Sequence, residues 1–191
     1  MKRLFDLFFA IIILACLLPL FFIAMLAVMI SIGWPIFFCQ LRPGLYGRPF
    51  KMIKFRTMTN KFSANGELLP DVDRLTPVGR LLRSFSMDEM PELWNVIKGD
   101  MSLVGPRPHM VKHTDDFSKV VDHYMLRQFL KPGITGWAQI NGYRGEIAHP
   151  DQIKDRVSSD LWYLEHWTVW LDLRIIFLTV FKVFAGDKNA Y

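Results

Sequence analysis

Apolar residues in this chain are massed at one end before they become patterned along the rest. From Leu7 to Leu41 no residue is charged, and the most apolar part, Leu7 to Ile32, runs for 26 residues. A helix of that length crosses a hydrocarbon core of about 30 Å. Beyond it the period changes. Pro49 to Met58 alternates, with Phe50, Met52, Ile53 and Phe55 apolar, and predicts a short strand. Residues 60–73, with Gly66, Pro70 and mixed polarity, predict a loop. Thr76-Pro77 predicts an N-cap and a first-turn proline, opening a helix with Val78, Leu81 and Leu82 on its apolar side. Ser86, with Glu89 three residues on, predicts a capping box and a second helix to about Lys98, stopped at Gly99. Residues 109–130 predict helix, 131–136 a turn-rich stop, and 137–145 a short strand with an irregular loop. A last helical region covers roughly Asp151 to Phe184, in one or two pieces. The sum is an α+β chain, mainly helical, with a small β element and amphipathic helices suited to a membrane interface.

Whether the apolar segment crosses the membrane turns on two features. Pro19 falls near its middle, where it removes a backbone donor and crowds the preceding turn. Positive charge flanks both ends: Lys2 and Arg3 on one side, and Arg42, Arg48, Lys51, Lys54 and Arg56 on the other. Cations favour the cytoplasmic side. A re-entrant hairpin broken at Pro19 satisfies both ends together, while a tilted, kinked single span fits the length equally well. A cleaved signal peptide fits poorly, because the run is too long and no small-residue site closes it. This divides the chain into residues 1–41, a membrane hairpin and its exit, and 42–191, a membrane-associated domain facing the cytoplasm. The aromatics Trp162, Tyr163, Trp167, Trp170, Phe177, Phe181 and Phe184 suit either an interfacial belt or a core.

Composition adds a gradient. The 191 residues are 51% hydrophobic and 21% charged, with a formal net charge of +5. Residues 42–83 hold nine Lys or Arg against three Asp or Glu, so the basic excess follows the membrane segment directly. It faces anionic headgroups or a polyanionic substrate. The two cysteines, Cys16 and Cys39, both belong to the uncharged region and imply no disulfide framework.

The chemistry concentrates in Ser86-Met87-Asp88-Glu89-Met90-Pro91-Glu92-Leu93-Trp94 and in Gly105-Pro106-Arg107-Pro108. A carboxylate that attacks phosphorus forms an acyl phosphate and splits one difficult transfer into two. It needs the phosphate oxygens screened, by Mg²⁺ on one or two carboxylates and by arginine forks. Arg83, Arg107 in its Pro-Arg-Pro frame, Lys54 and Arg56 are the cations at hand. Alone, an Asp-Glu pair at a helix start is explained by the helix dipole; with these cations and a membrane segment it points to phosphate chemistry. His109 and His113, four apart, match a metal-ligand spacing, but no third ligand accompanies them. A membrane-anchored module holding anionic lipid or nucleic acid would have no use for Asp88 and Glu89, so no nucleic-acid partner is expected. A direct transfer between two phosphates without a covalent step sits badly with a single apolar segment.

These residues resemble the monotopic bacterial phosphoglycosyl transferases, or bacterial sugar transferases. The resemblance covers essentially the whole chain. It rests on Arg42-Pro43-Gly44, Lys54-Phe55-Arg56-Thr57-Met58, Met87-Asp88-Glu89-Met90-Pro91-Glu92-Leu93, Gly105-Pro106-Arg107-Pro108 and Lys131-Pro132-Gly133-Ile134-Thr135-Gly136-Trp137, in that order. It implies transfer of a sugar 1-phosphate from a UDP-sugar to undecaprenyl phosphate at the cytoplasmic face of a bacterial inner membrane, with release of UMP. It also implies a re-entrant helix, Mg²⁺ and a covalent phosphosugar-enzyme intermediate. By the same resemblance Asp88 is the nucleophile and lies near Mg²⁺. Glu89 assists either the metal or proton removal, and Arg83, Arg107, Lys54 and Arg56 hold phosphate oxygens. Asn141, Tyr143, Arg144 and Glu146, in Ile140-Asn141-Gly142-Tyr143-Arg144-Gly145-Glu146, are most similar to members that use UDP-glucose and start exopolysaccharide units. UDP-galactose and a UDP-N-acetylamino sugar are the alternatives. Many such members carry a large N-terminal membrane region, so the chain reads as the catalytic part; a homodimer is left open. In one departure, Leu18 stands before Pro19 where many members have serine.

Overall fold

A computed structural model describes residues 1–63, 65–145 and 150–185. The apolar run forms one helix, α1 (Lys2–Ile32). Pro19 lies inside this helix, so the hairpin reading requires a bend within a continuous helix rather than a gap in it. Proline deletes a single donor, and the turns on either side are held by packing. Leu14 rests on one buried cluster, and Leu17 and Phe21 rest on another. After a turn the chain enters β1 (Phe37–Pro43), which pairs antiparallel with β2 (Pro49–Phe55), in register from Phe37 opposite Phe55 to Pro43 opposite Pro49. The strand at 49–55 matches the alternation; β1 lay concealed in the uncharged stretch.

Three short helices follow: α2 (Asp71–Arg74), α3 (Pro77–Ser84) and α4 (Glu92–Lys98). Thr76 caps α3 as expected, its hydroxyl accepting from Gly79 N at 2.9 Å. The expected capping box at Ser86 does not form. Ser86 is left-handed (φ 55°) and makes no cap bond, whereas an N-cap needs an extended backbone. Met87–Glu89 make a single 3₁₀ turn instead, and α4 starts only after Pro91. Gly99, at φ 97°, closes α4 as predicted.

Next come β3 (Ser102–Val104), α5 (Val111–Val120), a 3₁₀ stretch Tyr124–Phe129, β4 (Gly133–Thr135) and α6 (Trp137–Ile140). The helix predicted over 109–130 is interrupted by extended Val121 and left-handed His123 (φ 61°). The strand expected within 137–145 is absent. Asn141 donates its amide to Trp137 O at 2.9 Å and folds that segment into the short α6. The chain then forms α7 (Pro150–Glu165) and α8 (Val169–Ala185). β3 and β4 pair in parallel, Ser102 opposite Gly133 and Val104 opposite Thr135.

The core consists of two main clusters, and α1 belongs to both. Ala10 packs with Phe50, Met52, Leu93, Val96 and Tyr163, while Ala24 and Val28 pack with Ile36, Phe55, Leu82 and Met90. Polar bonds pin the N-terminal end. Lys2 Nζ lies 2.7 Å from Asp172 Oδ2, Arg3 donates to Ile97 O at 2.6 Å, and buried Asp6 accepts from Ser102 Oγ at 2.9 Å and Leu103 N at 3.1 Å. The opposite face of α1 exposes Leu4, Phe8, Ile11, Phe22, Ile23, Leu26 and Ile30. The late aromatics divide between the two predicted roles: Tyr163 is core, whereas Trp170, Phe177 and Phe181 on α8 point outward.

Candidate active site

Asp88 and Glu89 sit in the 3₁₀ turn between α3 and α4 and are 4% and 3% exposed. The left-handed Ser86 aims this turn inward, toward cations from three other segments. Lys54 comes from β2, which Asn95 of α4 fixes: its side chain donates to Lys51 O at 2.7 Å and accepts from Ile53 N at 3.1 Å. Arg107 follows β3 in a loop whose backbone touches the neighbouring strand. Gly105 N donates to Thr135 O at 2.9 Å and Gly133 N to Pro106 O at 3.0 Å. A Cβ at Gly133 would stand 2.1 Å from Gly105 N, so the close approach requires glycine there. Arg144 follows α6.

All three cations converge on Glu89. Its Oε1 lies 2.8 Å from Lys54 Nζ and 2.6 Å from an Arg107 nitrogen, and its Oε2 lies 3.0 Å from an Arg144 nitrogen. Burial alone would raise the Glu89 pKa, but Arg107, Lys54 and Arg144 overcome it and hold the carboxyl well below the usual range. Asp88 differs. Its Oδ1 is buried without a hydrogen-bond partner among the described residues. Burial, and then the Glu89 charge, push its pKa up, against the opposing pull of Lys54, Arg83 and Arg107. One carboxylate is therefore saturated with donors, and its neighbour is basic and open.

Arg83, on α3, donates to Thr57 Oγ1 at 3.1 Å while its charge reaches Asp88. Arg56 turns to Met58 O at 3.2 Å. Of the residues read as sugar contacts, Arg144 reaches Glu89, Asn141 is spent on its own turn, and Tyr143 is half-buried in the turn after α6. Glu146 lies outside the described residues. Pro19 is exposed on α1. His109 precedes α5, so it shares no helix face with His113. Glu92 carries a feature that the sequence reading left without a role. Only 1% exposed, it lies 3.3 Å from Lys54 Nζ. Burial pushes its pKa up to about 7, with Lys54 pulling down and Glu89 pushing up. Its spacing, one helical turn after Glu89, is the signal that would have found it.

An apolar cavity of about 540 Å³ opens beside the pair. Leu17 and Leu20 of α1, Ile176 and Val180 of α8, and Met87 line it, and Glu89 and Arg144 form part of its polar wall.

Comparison with known proteins places this arrangement. The family described as bacterial sugar transferase matches residues 1–186. The chain belongs to that family. It is 46% identical over 187 residues to a protein of Bacillus subtilis named as the uncharacterized sugar transferase EpsL, covering 98% of this chain and 89% of that one. It is 45% identical over 195 residues to the UDP-glucose:undecaprenyl-phosphate glucose-1-phosphate transferase of Escherichia coli, covering all of this chain and 41% of that protein. A Caulobacter vibrioides protein of the same name is 41% identical and is covered to 72%. The chain thus spans about two-fifths of the longer relatives and most of the shorter ones.

In this sugar transferase the donor set can be tested for the Mg²⁺ that the resemblance implies. Among the described residues no three His, Cys, Asp or Glu form a metal cage. Mg²⁺ commonly uses only one or two carboxylates, completed by substrate phosphates and water. The unpartnered Asp88 Oδ1 fits that role, whereas both Glu89 oxygens are already engaged by cations.

Proposed function

We propose that this sugar transferase moves a hexose 1-phosphate, glucose 1-phosphate by preference, from a UDP-sugar to undecaprenyl phosphate and releases UMP. The observation that supports it is the contrast within the acidic pair. Asp88 keeps a buried, unpartnered oxygen of raised basicity, while cations able to receive phosphate oxygens gather on Glu89 next door. A carboxylate oxygen of Asp88 attacks the sugar-bearing phosphorus. The bond from that phosphorus to the bridging oxygen breaks, and UMP leaves with the electron pair. An oxygen of the lipid phosphate then attacks the same phosphorus, and Asp88 departs as a carboxylate. Arg107, Lys54 and Arg144 exchange their hold on Glu89 for the substrate's phosphate oxygens, bidentately where an arginine is the partner. Glu89 stays ionised and keeps these cations assembled before substrate arrives. Mg²⁺ at Asp88, when bound, supplies charge screening for the two phosphates.

The remaining specifics rest on the surroundings. Both ends of α1 contact one domain, which supports a helix that enters and leaves the same leaflet with the site at the cytoplasmic face. The apolar cavity between α1 and α8 is where the polyprenyl chain of the acceptor would lie. Relatives whose names specify glucose are 41–45% identical. One from Erwinia amylovora named for UDP-galactose is 37% identical, and one from Aeromonas hydrophila named for N-acetylgalactosamine is 35%. The test is incubation of purified protein with radiolabelled UDP-glucose and Mg²⁺ but no lipid. Label retained on denatured protein with UMP released is expected. Equal retention by Asp88→Asn overturns the covalent step, and the same assay with UDP-galactose and UDP-N-acetylgalactosamine ranks the sugars.

A further inference from the structure

Arg107 and Arg144 are far apart in sequence, yet both meet Glu89. Behind them lies a second buried set of charges that touches none of the three carboxylates Asp88, Glu89 and Glu92 through any hydrogen bond among the described residues. Arg127 donates to the carbonyl of Arg107 itself at 2.9 Å. Arg156 donates to the carbonyl of Gly145, the residue after Arg144, at 2.6 Å. Arg42 donates to the carbonyl of Pro108, the residue after Arg107, at 3.3 Å. Three guanidinium groups are thus spent on main-chain oxygens at or beside the two arginines that reach Glu89.

Two of the three converge on one ring. His109, 7% exposed, has Tyr124 Oη 2.6 Å and an Arg127 nitrogen 2.9 Å from Nδ1, and an Arg156 nitrogen 3.2 Å from Nε2. A neutral ring carries one N–H. Placed on Nδ1, that proton is donated to Tyr124 Oη and Nε2 accepts from Arg156; the Arg127 nitrogen beside Nδ1 then has Tyr124 Oη, at 3.3 Å, as its acceptor in place of the ring. Both ring nitrogens are partnered in this assignment, while Nε of Arg127 and Nε of Arg156 are left without a partner among the described residues. A second proton on the ring would face the Arg156 donor, and burial together with Arg127, Arg156, Arg107 and Arg42 keeps it off. Asp160, fully buried and paired with Arg127, supplies the counter-charge. Buried charges cost several kcal/mol each in desolvation, and apolar residues of equal volume would stabilise a core at least as well. A network this polar, aimed at these particular carbonyls, is built to set geometry.

We infer that His109, Arg127 and Arg156 are positioning residues that lock the Arg107 and Arg144 loops in register, so that both guanidinium groups meet the same carboxylate. The assignment is geometric; its kinetic consequence rests on the function proposed above.

The experiment is arginine modification by phenylglyoxal on the purified full chain, quantified residue by residue by mass spectrometry. Arg3, bonded to carbonyls of α4 at the far side, serves as an internal reference. Arg127→Gln is expected to raise labelling of Arg107 about tenfold and Arg144 less, and Arg156→Gln to do the reverse. His109→Leu is expected to raise both, while His109→Gln, whose amide both donates and accepts, stays near wild type. Unchanged labelling in all four variants overturns the inference. So does a parallel rise at Arg3, which marks general loosening. In UMP release, Arg156→Gln alone is expected to cost about tenfold, but under about twofold when added to Arg144→Gln. Additive losses there count against the network. A wild type that releases no UMP counts against the reaction, and the labelling still judges the network.

Discussion

Two groups of buried carboxylates in this sugar transferase differ in how completely they are satisfied. At the N-terminal end of α1, Asp172 accepts from Tyr163 and Trp167 and pairs with Lys2, and Asp6 accepts from Ser102 and Leu103. Charge here is buried and balanced, and it ties α1 to the domain. Across the core, Asp88 is as deeply buried but leaves Oδ1 without a partner, while its neighbour Glu89 is gripped by three cations. An unsatisfied buried charge is expensive. The contrast separates a carboxylate that stabilises the fold from one left unsatisfied at the fold's expense, as the attack proposed above requires.

Three substitutions put that contrast under strain. Asp172→Ala strands Lys2, Tyr163 and Trp167, and unfolding in denaturant should show a loss of about 3 kcal/mol. An unchanged midpoint would dissolve the distinction. Asp88→Asn should act in the opposite direction. It removes an ionised group whose folded pKa is raised, so the melting temperature should hold or rise by a few degrees, equivalent to about 1 kcal/mol, even as transfer is lost. A fall as large as that of Asp172→Ala would make Asp88 a structural residue. The smallest effect belongs to Glu92. Its carboxyl is raised from 4.5 to about 7, so the folded chain binds more protons than the unfolded one between those values. Stability from this group therefore declines as pH rises from about 4.5 to about 7. Glu89, held below its ordinary value, works the other way: its contribution is present above 4.5 and lost as pH falls through its folded pKa. Melting Glu92→Gln against wild type across that window should show a flatter decline in the variant, and parallel curves would deny Glu92 its shift.

The sequence disclosed local signals far better than distant ones. Thr76 and Gly99 mark helix ends through bonds and dihedrals set within four residues, and both read correctly. Ser86 did not, because its left-handed backbone is imposed by the packing of the turn it starts, and Ser-x-x-Glu is written identically in either case. β1 was invisible, since Phe37–Leu41 continue the apolar run and only the partner strand makes them a sheet. The carboxylate pair and Arg107 stood out because proline and glycine frame them. Arg127, Arg156 and Asp160 carry no such frame, and their meaning lies in contacts across 11 to 33 positions. Arg144 read as a sugar contact, and only the folded loop brings it to Glu89.

The double engagement of α1 couples the core to the surface around the protein. Ala10, Ala24 and Val28 are at most 1% exposed and complete two clusters whose other members lie after residue 35. Those clusters cannot close until α1 meets the segments that follow it. That helix also exposes Leu4, Ile23 and Ile30 on its other face, a surface matched to hydrocarbon rather than to water. Docking of α1 against hydrocarbon and closure of the two clusters therefore act on opposite faces of one helix, and a change to either face is felt by the other. The depth at which α1 settles would then set how far Asp88 and Glu89 stand from the lipid headgroups.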